Sequence, residues 1–555
     1  MEKRTILAFI LSFLVLILWS FFFSPTKDQG PKEEVPPRKG TPQVTTEGEK
    51  APDSTHSPAY RTSEDTAGTS TSDMKRKEIE VETPLYSAIL TNVGPTIKSF
   101  RLKAYHETIE LDSPPIELIN LQKEMGGFLT GGFDNTFAPK RDKTVYEVDR
   151  QALHLRPGSS PEKLTFRSTD SNGLSIRQTF QFYPDEYRID FTIEVINKSE
   201  KPMKGTFTTV LKALPPDEKT SYYSFVGLVL LIDDELEEVK IKKTSDEKDF
   251  EGTIDWIAYE DDFFISAVIP EKEKGGSFHG SLLSSGLLEG TYVSPPVPLN
   301  PSEKAISKYA LYLGPRDLGI LKEFGSKLDR AVDFGWTDII AKPLLYLLRF
   351  FNGYINNYGV SIILLTILIK ILFWPLTHKS YKSMKEMQKL QPRMAKIREK
   401  YKGNKEQINK ETMALYKTYK VNPMGGCLPM IIQLPVFFAL FRLLGSAIEL
   451  RHAPFALWIN DLSAPDRLFN FSFSIPFMKE PYGIPVLTLL MGASMFIQQK
   501  MTPTPGDPAQ AKIMMFLPII FTFMFINFPS GLVLYWLVNN ILSIGQQYRI
   551  HKGPA

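Results

Sequence analysis

The sequence predicts a polytopic α-helical membrane protein with six transmembrane helices and a large extracytoplasmic antiparallel β-sandwich. Three observations carry this prediction. Apolar segments near membrane-spanning length open the chain and recur through its last 200 or so residues. Between about residues 75 and 335 the pattern is one of short alternating strands separated by turn signals such as "DSNG" and "YPDE". The formal charge of +3 over 555 residues hides a local surplus, since Lys379 to Lys420 holds 13 Lys/Arg against 4 Glu and leaves the remainder net acidic.

Taken in order, Thr5 to Phe23 is apolar and follows Lys3 and Arg4. A cleaved signal peptide has the same shape, but "FFFSPTKDQG" follows with no small-x-small site. Residues 1–24 therefore read as an uncleaved anchor whose basic flank keeps the N-terminus in the cytoplasm. Residues 25–74 are rich in Pro, Thr, Ser, Glu and Lys, and bury too little apolar area to offset ordering entropy. They are expected to be a disordered linker, with a recognition tail as the alternative. Residues 75–335 follow period two, as in "KLTFRSTDSNGLSIRQTFQFYPDEYRIDFTIEVINKSE", and form the sandwich. Clustered acids in "EDDFF" and "PPDE" are either a glycosidase pair or ordinary strand-end and turn acids.

In 337–355, Ile340, Leu344, Leu347, Leu348 and Phe351 share a helical face, with Lys342 and Arg349 off it. This is an interfacial amphipathic helix, or a helix packed on the sandwich. The remaining spans are expected at 356–378, 425–447, 484–500, 512–528 and 532–548, several of them short enough to thin the bilayer. With the N-terminus inside, the basic segment 379–421 falls in the cytoplasm, as the positive-inside rule requires. The loop 448–483 is then outside, and the basic tail 549–555 inside. Within 379–421, Met384, Met387, Leu390, Met394, Ile397 and Tyr401 recur at helical steps. Ile408, Thr412, Leu415 and Tyr419 repeat the pattern beyond "GN", so this is a helical hairpin. It is a solvated basic surface near anionic lipid, or a contact for a ribosome.

Cys427 is the only cysteine, which excludes an intrachain disulfide and a cysteine-based metal site. The seven histidines form no metal-ligand pair, so neither cofactor nor metal is expected. The chemistry-bearing oddity is Lys370 in "ILLTILIKILFWPLT". A lysine at bilayer depth costs about 2.5–3.5 kcal/mol on insertion scales. The other core spans carry Gln433, Thr488, Ser494, Thr522, Asn539 and Ser543, but no Asp or Glu in their interiors. Lys370 therefore snorkels, hydrogen-bonds within the bundle (to Gln433, for instance), or lines a water-filled cavity. Thr366 lies one turn away on the same face, which favours a polar stripe. Pro429 and Pro435 in one span point to a kink.

The stretches "NPMGGCLPMIIQLPVFFALFRLL", "ELRHAPFALWINDLSAPD", "KIMMFLPIIFTFMFINFPSGLVLYW" and "WPLTHKSYKSMKEMQKLQPRM" resemble the YidC/Oxa1/Alb3 family of membrane protein insertases. The outer sandwich and N-terminal anchor resemble its Gram-negative branch. The resemblance implies a five-helix insertase core in the bacterial inner membrane, with residues 25–355 periplasmic and no enzymatic activity. It implies a hydrated cationic groove, with Lys370 at the position of the charged residue and Thr366, Gln433 and Trp536 as polar contacts to substrate. Leu434, Phe437 and Tyr535 would form an apolar slide toward lipid. The family mostly has arginine where Lys370 stands, and many members have tyrosine at Trp536. Lysine keeps the charge and loses the planar fork. Implied partners are nascent membrane proteins, membrane lipids, the Sec translocon with its accessory subunits, and a ribosome or targeting factor at 379–421; no DNA contact is expected. Two other classes remain open: a solute or ion transporter, against which the lack of intramembrane carboxylates weighs, and a membrane-anchored carbohydrate-active sandwich.

Overall fold

The computed structural model describes residues 75–119, 121, 127–134, 144–170, 173–215, 225–271, 275–419, 421, 428–502 and 508–552. The anchor expected at 1–24 and the linker at 25–74 lie outside the described residues, as does most of "PPDE". Among the described residues the chain divides into two units, one of 75–400 with 411–552 and one of 401–410. In the second, Gly403 turns the chain at φ +94° and the Asn404 side chain accepts from the Gln407 amide at 3.0 Å.

Its N-terminal part is a β-sandwich running from Glu78–Glu82 to Lys304–Pro315. Arg188–Asn197 shows why: every second side chain, Ile189, Phe191, Ile193 and Val195, is buried, and the alternates face outward. It pairs antiparallel with Leu174–Phe182 on one side and Lys304–Pro315 on the other. The larger sheet folds over on itself through Lys248–Glu260. The first half of that strand pairs with Gly275–Leu282, and its last residues pair with Phe264–Pro270. The core between the layers is aromatic, with Phe180 stacked on Phe191 and Phe133 edge-on to Phe207. A smaller sheet is antiparallel except where Glu78–Glu82 pairs parallel with Ala152–His154.

A short linker leaves the sandwich. Helix α1 (Leu318–Phe324) is capped by Asp317, which accepts from the amides of Gly319 and Ile320. Helix α2 (Asp338–Ile355) follows and packs on α3 (Tyr358–Lys400) and α5 (Leu428–Ser446). Its buried residues are Ala341, Leu344, Leu345 and Leu348, while Ile340, Leu347 and Phe351 are partly buried. Ile339, Tyr346, Phe350 and Tyr354 are exposed on another face, so α2 is apolar on two sides. Arg442 of α5 reaches the turn before α2, where Gly335 has φ +61° and a Cβ would meet its guanidinium at 2.9 Å.

Helix α3 joins two segments that the sequence reading separates at 378/379. It is one helix of 43 residues with Pro375 and Pro392 inside it. The reason is propensity: Lys, Met, Glu, Gln and Arg beyond His378 are good helix formers, so nothing in the chain ends the helix where the apolar residues stop. By length and composition α3 can cross a membrane; Gln433–Ser446 and Met514–Phe525 are shorter apolar helical stretches. Beyond α3, Met387, Leu390 and Met394 pack on Tyr416 of α4 (Lys405–Thr418). Helices α6 (Val486–Met501), α7 (Pro508–Phe525) and α8 (Ser530–Lys552) complete the domain, with α8 packed against both α3 and α6.

Candidate functional site

Lys370 is buried, with 6 % of its surface exposed. Its ammonium donates to Ser543 Oγ at 2.5 Å and Asn539 Oδ1 at 3.4 Å, both on α8. Asn539 Oδ1 also accepts from Gln433 Nε2 of α5 at 3.3 Å, and the same nitrogen donates to the Tyr535 hydroxyl at 3.3 Å. One amide oxygen thus joins α3, α5 and α8. Lys370 does not reach Gln433 directly; Asn539 stands between them. Among the described residues no carboxylate pairs with the ammonium. Of the three accounts of Lys370, this arrangement is hydrogen bonding within the bundle.

The cluster continues toward the basic end. Gln546 donates to Thr377 Oγ1 at 2.9 Å, and Lys385 donates to the Ile550 carbonyl at 2.9 Å. On another side of α8, Asn540 donates to Ser494 Oγ of α6 at 3.0 Å. In the sequence Asn539 and Ser543 read only as polar residues of the last apolar segment, and Gln546 does not stand out. Their i, i+4, i+7 spacing was the available signal, since it puts all three on one face of α8.

The other expected residues divide in two. Thr366 is 1 % exposed and its hydroxyl donates to the Ile362 carbonyl at 2.6 Å within its own helix. Tyr535, expected on the apolar slide, is buried at 2 % with its hydroxyl beside Gln433, and so belongs to the polar cluster. Trp536, expected as a polar contact, is half-buried in an aromatic wall. It stands edge-on to Phe437 at 4.8 Å and Phe525 at 5.0 Å, with Phe521 at 6.3 Å. Leu434 is half-buried one turn before Phe437. Adjacent positions on a helix point about 100° apart, so Tyr535 faces the polar cluster while Trp536 faces the aromatic wall.

A second charged cluster joins the sandwich linker to the helices. Arg349 of α2 donates through Nε to Glu449 at 2.5 Å and through Nη2 to Asp317 at 3.0 Å. Burial raises the Glu449 carboxyl and Arg349 pulls it back down. Close by, Arg451 donates to the His106 carbonyl at 2.6 Å and lies over the Phe263 and Phe264 rings. The acids of "EDDFF" have structural partners. Glu260 is buried 3.7 Å from Arg316, and Asp261 caps the amides of Phe263 and Phe264 at 2.8 and 2.7 Å. A sandwich cavity of about 240 Å³ holds Arg188, Asp255, Glu271 and Lys327. Its charges pair with each other and with neighbours: Lys327 with Asp255 at 2.9 Å, Arg188 with Asp190 at 2.7 Å and Glu271 at 3.7 Å.

Residues 78–347 match the family model described as the YidC periplasmic domain, and 350–554 that described as 60Kd inner membrane protein. The membrane protein insertase YidC of Syntrophus aciditrophicus is 44% identical over 562 residues, covering all of both chains. The chain belongs to the YidC family. Its YidC relative from Syntrophobacter fumaroxidans is 42% identical over 579 residues, again across both full chains, and that of Pelobacter propionicus is 41% identical over 569, covering all of this chain and 99% of the relative. Among solved structures, an active YidC insertase with its first transmembrane domain resolved aligns over 86% of this chain and 93% of its own, at 18% identity and a TM-score of 0.38. YidC relatives are inner membrane proteins with a periplasmic domain; in this chain the periplasmic-domain model takes in the sandwich, α1 and the start of α2, and the inner-membrane model the rest of the helical part.

Proposed function

We propose that this chain is a membrane protein insertase that places nascent integral membrane proteins in the inner membrane and helps them fold, without covalent chemistry. The observation that carries the mechanism is the Lys370–Asn539–Gln433 link, a carboxylate-free cationic cluster beside the Phe437–Trp536 wall. Six spans are part of the reading: Thr5–Phe23 with the apolar parts of α3, α5, α6, α7 and α8. It is supported by exposed apolar residues on the helices, among them Ile371 and Leu372 on α3, Leu489 and Ile497 on α6, and Phe516, Ile520 and Phe523 on α7. Residues 25–355 lie in the periplasm, and both termini and the segment 379–421 in the cytoplasm, where its surplus of positive charge belongs.

In this mechanism a short polar flank of the nascent chain enters a hydrated groove from the cytoplasm. It exchanges its own groups for part of the Ser543–Asn539–Lys370 network, and an acidic flank gains most. The apolar segment passes along Leu434, Phe437 and Trp536 into lipid, with α2 marking the outer interface through Tyr346, Phe350 and Tyr354. Groups already polar and buried lower the desolvation cost of the flank, which is what a bilayer alone cannot do. Thr366 contributes by shape, its hydroxyl being engaged in its own helix. The protein works alone or beside the Sec translocon, and 379–421 receives a ribosome or targeting factor.

Photocrosslinkers at 433, 437 and 536 in the full chain, facing a ribosome-stalled single-span substrate, test this. Adducts are expected from 437 and 536 with the apolar segment, and from 433 with the polar flank. Adducts from none of the three would remove the groove from the mechanism.

A further inference from the structure

The loop between α5 and α6 carries a small hairpin, Leu468–Phe471 paired with Tyr482–Ile484, and three phenylalanines stand exposed among its polar residues. Phe469 is 67 % exposed, Phe473 63 % and Phe477 84 %. Phe471 and Phe473 stack at 5.2 Å with their planes 6° apart. Water does not favour such a surface, and nothing in the local sequence excuses it as a lone exposed residue.

The hairpin is rooted firmly. Arg467 donates to the Pro481 carbonyl at 2.8 Å and, across to the α7–α8 turn, to the Ile526 carbonyl at 2.9 Å. Asn527 in that turn donates to the Phe477 carbonyl at 2.8 Å and accepts from the Lys479 amide at 2.8 Å. Phe469 and Phe477 have φ of +59° and +66°, the left-handed region that bulky residues rarely enter. A Cβ on Gly483 would lie 2.1 Å from the Phe469 carbonyl oxygen, so only glycine admits this fold of the hairpin. The backbone thus holds these rings outward through fixed contacts.

We propose that this hairpin is an interfacial anchor that seats Phe469, Phe473 and Phe477 in the headgroup region of the outer leaflet. Continuity names the occupant. The hairpin hangs between the end of α7, where Phe523 and Met524 are exposed, and the start of α6, where Leu489 and Leu490 are exposed. Whatever wets both helix faces meets the hairpin at their ends, and lipid is the medium that does so. Exposed Phe rings with Arg467 and Lys479 beside them pair apolar and cationic side chains as interfacial segments do, with Glu480 the one exposed acid next to them. The anchor fixes the bilayer surface against α6, α7 and their shared turn, and so sets the depth at which the polar cluster sits. This inference rests on the spanning reading above.

The test uses the full chain in proteoliposomes, carrying Cys427→Ser and one new cysteine labelled with an environment-sensitive dye. Dye on Phe473→Cys or Phe477→Cys is expected to lose most of its emission to lipids spin-labelled at the headgroup or upper acyl chain. Dye on Ser285→Cys in a sandwich turn is expected to keep it. Phe516→Cys on α7 reports separately on spanning, through quenchers placed deep in the acyl chains. Water-like, unquenched dye at both 473 and 477 overturns the anchor whatever 516 shows, and so does shielding that needs an added protein. Quenched hairpin dye with unquenched 516 keeps the hairpin at the lipid surface but overturns the spanning reading, and with it the anchor's part in setting the depth of the cluster.

Discussion

Asn539 is the residue on which the polar cluster turns, because its single Oδ1 serves donors from two other helices. Asn539→Ala should destabilise the helical domain by roughly 1–2 kcal/mol, near the upper end for interhelical hydrogen bonds in lipid. Ser543→Ala should cost less, since Lys370 keeps its second acceptor. Thermal unfolding of the full chain in detergent checks the order, and a larger loss for Ser543→Ala would show that Asn539 is not the link. At the neighbouring pair, Tyr535→Phe should leave insertion nearly unchanged, since one hydroxyl is lost. Trp536→Ala should lower it several-fold by opening the wall around Phe437. Insertion of a single-span substrate in depleted cells reads both. Residue types along α8 were legible in the sequence, but its rotation was not. Packing against α3 and α6 decides whether Tyr535 or Trp536 faces the cluster.

At the level of elements, strands were legible wherever one face is buried, because alternation in Arg188–Asn197 follows from that alone. The partners of Arg349 were not legible. It reads as an off-face cation on an amphipathic helix, yet it binds Asp317 and Glu449, 32 and 100 residues away in sequence. Arg349→Ala would leave the nearly buried Glu449 without its cation. The cost should be roughly 2–3 kcal/mol, below the full range for a buried pair because Arg349 and Asp317 are about a quarter exposed. Faster proteolysis of the 317–337 linker in the full chain checks it; an unchanged rate would mean α2 and α1 are held by apolar packing. The sandwich should also respond to pH. Burial pushes Glu260 up to about 7, with Arg316 opposing, so its protonated form is favoured in the folded state. That contribution is fully present below the ordinary carboxylate pKa and is lost as pH rises through about 7. Unfolding midpoints between pH 5 and 8 should therefore fall less in Glu260→Gln than in the natural sequence. Equal slopes would remove Glu260 as the source.

For the whole molecule, the strongest constraint is a sign. The larger part of the basic surplus, eight Lys/Arg against two Glu between Lys379 and Lys400, sits on one continuous helix with Lys370, so α3 cannot be oriented independently of it. If that segment stays in the cytoplasm, the polar cluster has its open end on the same side, where Thr377, Gln546 and Lys385 extend it. The Arg349–Asp317–Glu449 joint, at the other end of the apolar part of α3, then meets the periplasm together with the sandwich. Orientation, groove polarity and sandwich location thus stand or fall together, and one experiment reaches all three. Because Cys427 is the only cysteine, Cys427→Ser gives a blank carrier for single reporters. In spheroplasts, a membrane-impermeant maleimide should modify Ser285→Cys at once and Lys417→Cys only after lysis. The reverse pattern would place the basic segment outside, against the charge rule, and would deny the cluster its cytoplasmic entrance.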